Sequence, residues 1–586
     1  MNRQERRAAA REMRKIKIGS PADAMFNAAL SDMRAGRNRE AEKYCRKALA
    51  LDPEHAASLH LLGLMFLQGE QHDQAQHWIS RAIEQDPQPI YFLSLGTALF
   101  PGKDHDKALN AFERAAELGV NDPNLWQLRG QTIANLGRPL EALKSFRKSL
   151  AMRPDHVPTM NMLGASLSEL KQFEEALRVY RRAHELDPGN ADICNEVGKL
   201  LRLLNRDGES LLWFDRALEL QPDLMEARRG KAAALIYVHK FADAFEVYKS
   251  MKARSDGALA ELGIAHLQLL LGDFEAGWLG REARWRVSSL GGSYSNFPYP
   301  MWLGNEDLKG KTILLVSDEG FGDAIQFIRY VPLVADLGAR VVLVVQDPLL
   351  PLFIDIPGVA QCLPFSETGR LPPFDFHCAL MTLPLALKTS LESIPSALTY
   401  LPRPPRTAVR KWKERLGSHD KMRVGLVWSG NPKHPEDHNR SIPLRAFSDL
   451  FDVNATFISL QKDPRPGDAE VMRKLTGLLD SSEELTNFVE TAALIRCLDL
   501  VIAVDTSVAH LAGALGKPTW LLLPYTPDYR WLLDRDDSPW YPTMRLFRQT
   551  SARDWPEVLL KVYSELKLRT DLFEAFQASA AFEDPF

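Results

Sequence analysis

The feature that most limits what this chain can fold into is a period. A small residue returns at Ala41, Ala75, Ala108, Ala142, Ala176, Ser210, Ala244 and Ala276, in steps of 32 to 34 residues. Upstream of these, Gly63, Gly96, Gly130, Gly164 and Gly198 keep the same step, and Pro53, Pro87, Pro123, Pro154, Pro188 and Pro222 close the units. A fixed period of this size marks stacked supersecondary units rather than one closed core. Within a unit Trp126, Gly130 and Ile133 are spaced i, i+4, i+7, as are Ala142, Phe146 and Ser149, so both segments present helical stripes. Gly and Ala at matched positions allow two helix backbones to approach closely. The closing Pro stops the second helix, which it cannot continue. One hairpin cannot bury its own stripe, so the units are expected to stack into an α-solenoid.

The texture changes near residue 285. KTILLVS (311–317), ARVVLVVQ (339–346), DFHCALM (375–381), MRVGLVW (422–428), TFISL (456–460), LVIAVD (500–505) and PTWLLLP (518–524) predict strands. Their near-continuous apolar runs, alternating with helical segments, predict parallel sheets covered on both faces. A Pro-rich basic connector, LPRPPRTAVRKWKERLG (401–417), divides the region. The expected organisation is a basic arm over 1–21, a repeat array over 22–285 and a linker over 286–310. Two Rossmann-like halves follow, over 311–405 and 418–586, with a ligand cleft between the carboxyl ends of their strands.

Composition narrows the function classes. The 72 Lys and Arg nearly balance 76 Asp and Glu, which argues against a nucleic-acid partner recruited by bulk charge. No apolar run reaches the length of a membrane span, and Met1–Lys17 lacks the apolar core of a secretory signal. The five cysteines are scattered without metal-ligand spacing, as expected of free thiols in a reducing cytoplasm. A cytoplasmic protein, peripheral at most to the inner face of a membrane, is the expectation.

Three predicted strand ends carry polar motifs. Ser317-Asp318-Glu319-Gly320-Phe321-Gly322-Asp323 follows the first strand, with Gly322 permitting close approach of a ligand and Asp323 at a helix N-terminus. Trp428-Ser429-Gly430-Asn431-Pro432 runs on through Lys433, His434 and His438 to Arg440, and Arg440 or Lys433 could neutralise a phosphate. Asp505-Thr506-Ser507-Val508-Ala509-His510 turns directly from strand to helix. The backbone N–H groups of Thr506–Val508, backed by the helix dipole, form a ready anion site. Lys462, after the strand at 456–460, is a further candidate. Neither the His434/His438 pair nor Asp534–Asp537 is expected to hold a metal.

The 34-residue period with these Gly, Ala and Pro positions resembles the tetratricopeptide repeat, over about residues 22–280. Such a resemblance implies a protein or peptide bound along the array's groove. The Gly322-Asp323 step and the D-T-x-x-x-H-L-A-x-A-L-G-x-P block from Asp505 to Pro518 resemble bacterial glycosyltransferase family 9, the heptosyltransferases. That resemblance implies a GT-B fold, a nucleotide-diphosphate sugar donor and no cofactor. It further implies Asp323 as general base, Asp505, Thr506 and His510 on the donor, and Arg440 on its phosphate. Two departures stand out: Ser507 replaces the family's usual glycine, and Gln461-Lys462 replaces an acidic residue that some members direct at the nucleotide. The expected activity is inverting sugar transfer to a hydroxyl of a protein or glycan. The alternative is a non-catalytic scaffold whose α/β region only binds a nucleotide sugar.

Overall fold

The computed structural model describes residues 20–102, 104–252, 257–287, 297–434, 436–475, 477–550 and 554–582. Of the expected basic arm (1–21) and linker (286–310), residues 1–19 and 288–296 lie outside the described residues. The chain divides into two compact units, residues 1–231 and 232–586.

The first unit is a run of helix pairs, beginning Pro21–Arg34 with Asn38–Leu51 and ending Ala191–Leu203 with Asp207–Leu220. Ala41, Ala75, Ala108, Ala142, Ala176 and Ser210 are fully buried. The glycines work in register with large side chains sixteen residues later. A Cβ at Gly130 would stand 2.7 Å from the Phe146 ring, and one at Gly198 would stand 2.7 Å from Phe214. The absent side chain of one helix is therefore the socket for a ring of the next. Five of the six closing prolines follow the helix they terminate, as Pro53 follows Leu51. Pro123 instead occupies the first turn of Pro123–Asn135, after the N-cap Asp122, whose Oδ1 accepts from Asn124 N at 2.7 Å. Proline suits that place because its missing N–H would have no partner there. The steps from Pro87 to Pro123 and from Pro123 to Pro154, 36 and 31 residues, reflect this change of role.

The second unit contains the last repeat helices, Phe241–Lys252, Gly257–Leu270 and Phe274–Arg281, together with two parallel sheets. The first sheet has β1 (Thr312–Val316), β2 (Arg340–Val345), β3 (Val359–Pro364) and β4 (Phe376–Ala379) in the order β3-β2-β1-β4. The second has β5 (Met422–Val427), β6 (Ala455–Ser459), β7 (Leu478–Leu479), β8 (Leu500–Val504), β9 (Thr519–Leu523) and β10 (Met544–Arg548) in the order β10-β9-β8-β5-β6-β7. These are two Rossmann-like halves, with all seven predicted strands present. The strand order reverses between β1 and β4 in one sheet and between β5 and β8 in the other. In open parallel sheets such switch points leave a crevice beyond the strand ends. The connector is more than a tether: Arg406–Leu416 is a helix whose Trp412 is buried and donates to Glu490 Oε2 at 2.9 Å. A final helix, Trp555–Phe582, seats Val558, Leu559, Val562 and Leu566 on the core of the second sheet. No helix among the described residues is long and apolar enough to cross a membrane.

Candidate functional site

The candidate residues gather at the two switch points. After β1, Gly320 opens the short helix Phe321–Phe327 and Asp323 closes its first turn, accepting from Gly320 N at 2.9 Å. The other carboxylate oxygen is ion-paired with Arg530. Arg530 is buried and also holds Asp528 at 2.7 Å and Gln326 Oε1 at 2.5 Å. Burial pushes the Asp323 carboxyl up from its ordinary range, with Glu319 and Asp528 adding to the rise, while Arg530 and Arg281 oppose it.

β8 ends at Val504 and the helix Ser507–Ala514 begins with Thr506 as N-cap. Ala509 N and His510 N both turn back to Thr506 O, so the N–H groups of Ser507 and Val508 have no partner within the helix. The Asp505 carboxylate accepts from Trp531 Nε1 at 2.9 Å; burial first, and Asp528 second, raise its pKa to about 6. Across the crevice Arg440 ends the turn Asp437–Arg440 and donates from Nη1 to Asp505 O at 3.0 Å. Its guanidinium lies flat on Gly430, where a Cβ would come within 2.8 Å of Nε. Among the described residues, Arg440 Nε, Thr506 Oγ1 and Ser429 Oγ are buried polar atoms without a hydrogen-bond partner. Most buried polar atoms are paired, so three orphans at the ends of the neighbouring strands β5 and β8 make this a candidate place for a polar ligand.

His510 is deeper than its motif suggests. It is buried, stacks on Trp531 with ring centroids 5.4 Å apart, and shares a 2.8 Å hydrogen bond with the Tyr541 hydroxyl. Burial lowers its pKa to about 3, so the imidazole is neutral. A Cβ at Gly322 would come within 2.9 Å of His510 Cδ2, so this glycine lets the two halves meet. Asn431 and Lys433 are exposed, Lys433 N being bonded to Asn431 Oδ1, and Lys462 is exposed beyond β6. Gln461 is spent on structure, its Oε1 accepting from Ser429 N at 3.1 Å.

Sequence reasoning missed Arg530 and Asp528. Their segment, Thr526-Pro527-Asp528-Tyr529-Arg530-Trp531, follows the end of β9, and an arginine between two aromatic residues at a strand end was the available signal. It also missed a wall supplied by the repeats. His239 stacks on Tyr525 at 3.9 Å, Trp278 packs edge-on against Tyr529 and Trp540, and Arg281 pairs with Glu319 at 2.6 Å.

The family model "Glycosyltransferase family 9 (heptosyltransferase)" matches residues 463–551, and tetratricopeptide models match residues 93–157 and 158–190. The matches place tetratricopeptide repeats in the first half of the chain and a family 9 glycosyltransferase signature over part of its second sheet. A further model, for subunit 3 of the anaphase-promoting complex (cyclosome), matches residues 35–115. The family 9 match takes in Asp505–His510 and Arg530, whereas Asp323 and Arg440 precede it. Protein FlbA of Caulobacter vibrioides is 25% identical over 355 residues, which is 56% of this chain and 58% of FlbA. The alignment thus spans less than two thirds of that relative. A peroxisomal targeting signal receptor of Kluyveromyces lactis is 33% identical over 69 residues, 12% of each chain. Among solved structures, YrrB, described as a TPR protein with an unusual peptide-binding site, is 22% identical. It covers 32% of this chain and 97% of its own, with a TM-score of 0.31. The Cut9–Hcn1 hetero-tetramer is 18% identical, covering 36% of this chain and 43% of its own, with a TM-score of 0.30.

Proposed function

We propose that the α/β region, a GT-B-type pair, transfers a sugar from a nucleotide-diphosphate donor to an acceptor hydroxyl with inversion. The observation that carries this reading is the convergence of Arg440 Nε, Thr506 Oγ1, Ser429 Oγ and the unpartnered N–H groups of Ser507 and Val508 at the β5 and β8 ends. A diphosphate supplies the acceptors these donors lack, and the helix dipole favours its charge. Asp323 takes the proton of the acceptor hydroxyl as that oxygen bonds to the anomeric carbon. The bond from this carbon to the diphosphate breaks, and its electron pair leaves with the nucleoside diphosphate. Negative charge grows on the leaving group, where Arg440 and the Ser507–Val508 amides hold it. Arg530 fixes the Asp323 carboxylate, and the neutral His510 packs beneath the turn. The repeat array recruits the acceptor or a partner protein in this reading.

The test is a calorimetric panel of nucleotide-diphosphate sugars, followed by transfer assays with the donor that binds. Asp323→Asn should cut transfer by about a hundredfold or more while donor binding survives, and unchanged turnover would overturn the role of Asp323. A binding-only domain is a second reading, favoured by the existing Asp323–Arg530 ion pair. Tight donor binding with neither transfer nor hydrolysis would establish it.

A further inference from the structure

The last repeat helix departs from its predecessors at three places in the period. Four residues after the small position, the five preceding units carry Phe112, Phe146, Tyr180, Phe214 and Tyr248, and the first two Cys45 and Ile79; here stands Gly280. A Cβ there would lie 2.9 Å from Ala265 Cβ, so the helix sits close on Gly257–Leu270. Two residues after it, the earlier units carry exposed side chains such as Lys43, Lys144, Arg178 and Glu246; here Trp278 is buried against Phe327, Tyr529 and Trp540. Five residues after it, Arg46, Arg147 and Lys249 keep 55%, 52% and 62% of their side chains exposed, whereas Arg281 keeps 6%.

Arg281 Nη2 reaches both Glu319 oxygens, at 2.7 and 2.6 Å, and the guanidinium lies 5.4 Å from the centre of the Tyr529 ring. Glu319 belongs to the turn that presents Asp323, and Tyr529 precedes Arg530, which grips the Asp323 carboxylate. Beside it Arg284 holds Asp318 at 3.3 Å and Thr382 Oγ1 at 2.7 Å. Burying a charge is costly unless geometry repays it, so apolar residues would serve plain packing better.

We propose that Arg281, carried by the last tetratricopeptide helix, is a positioning residue for Asp323, so that the transfer site is completed by the repeat array. The inference rests on Asp323 being the base of the proposed transfer. Arg281 touches neither substrate nor reacting atom; it grips Glu319 on one side of Asp323 and packs on Tyr529 on the other. Burial works against the charge of Glu319, and Arg281, with Arg284 and Arg530, outweighs it and holds this carboxyl below its ordinary range. The grip is therefore between full charges.

The experiment uses the full chain with Arg281→Met, Arg281→Lys, Glu319→Gln, the Arg281→Met/Glu319→Gln double variant, and Arg147→Ala as the matched surface control. Arg281→Met should lower kcat by about ten- to a hundredfold with the donor KM unchanged, since misplacing a catalytic group costs rate. Glu319→Gln should do the same, the double variant should be no worse than either single, and Arg281→Lys should recover part of the loss. The double variant leaves no lone buried charge and answers the question if Arg281→Met does not fold. A second readout needs no activity: amide hydrogen exchange over residues 317–327 should quicken in Arg281→Met and stay as in wild type in Arg147→Ala. Wild-type kcat in Arg281→Met, multiplied losses in the double variant, or unchanged exchange would each overturn the proposal. Absence of transfer in the wild-type protein would instead overturn the reading of Asp323, and the exchange measurement would still decide whether Arg281 holds the turn.

Discussion

The helices Pro139–Met152 and Phe274–Arg281 occupy the same place in a 34-residue period and do opposite things with it. The first buries Ala142 and Phe146 among repeats and sends Lys144 and Arg147 to solvent. The second has Gly280 where a ring belongs and turns Trp278 and Arg281 inward, onto the α/β region. Period alone thus assigns a fold to a segment without assigning its neighbours. A solenoid contacts only adjacent repeats until it ends, and the last unit is free to evolve a face for something else.

That contrast can be broken most forcefully at the chemistry the last helix surrounds. Asp323→Asn should reduce transfer by about a hundredfold or more, the scale of a lost general base, with donor affinity preserved; a steady-state assay beside calorimetry checks both. Next in size, Trp278→Ala should destabilise the second compact unit by about 3–5 kcal/mol, as other buried aromatic truncations do, and denaturant unfolding measures it. Lys144→Ala, at the matched position, should fall within about 0.5 kcal/mol of wild type. Equal effects at the two positions would erase the distinction between the last helix and the rest. Gly130→Ala should cost about 1–3 kcal/mol through its clash with the Phe146 ring, whereas Arg147→Ala nearby should be silent. The smallest effect concerns pH. The folded-state pKa of Asp505, about 6, lies above its ordinary 3.8, so the folded protein holds an extra proton between these values. This group's contribution to stability therefore falls as pH rises through that window. Donor affinity should fall by about 1–2 kcal/mol as pH rises through and above about 6, because a diphosphate diester stays ionised while Asp505 of the folded protein gains charge beside it. Titrations at pH 5 and 7 should show the step in wild type and not in Asp505→Asn.

The strands that escaped sequence reading share a cause. β3 and β10 are sheet edges, and their runs, Val359–Pro364 and Met544–Arg548, mix exposed polar side chains with apolar ones. An edge strand is covered on fewer sides, so its composition is a weak signal. β7 is only two residues long. The site was legible in the same partial way. Asp323, Arg440 and Asp505–Val508 follow strands whose ends are readable, and the structure gathers them at the switch points. Arg530 has only a faint local signal in its neighbours Tyr529 and Trp531, and Arg281 only the Gly280 that replaces a ring, so both look like surface charge until their partners, Asp323 and Glu319, are known to be near.

By itself the sequence determined the period, the parallel-strand character of the second half and the polar strand-end motifs. Those properties are local, because helical stripes, proline stops and apolar runs depend on residues within one turn or one strand of each other. Tertiary structure alone decided that His510 is a buried neutral imidazole, that Asp323 is held by Arg530, and that Trp278 and Arg281 are buried against the α/β region. Each of these depends on what lies across a contact between residues tens to hundreds of positions apart, and burial and charge pairing are set there.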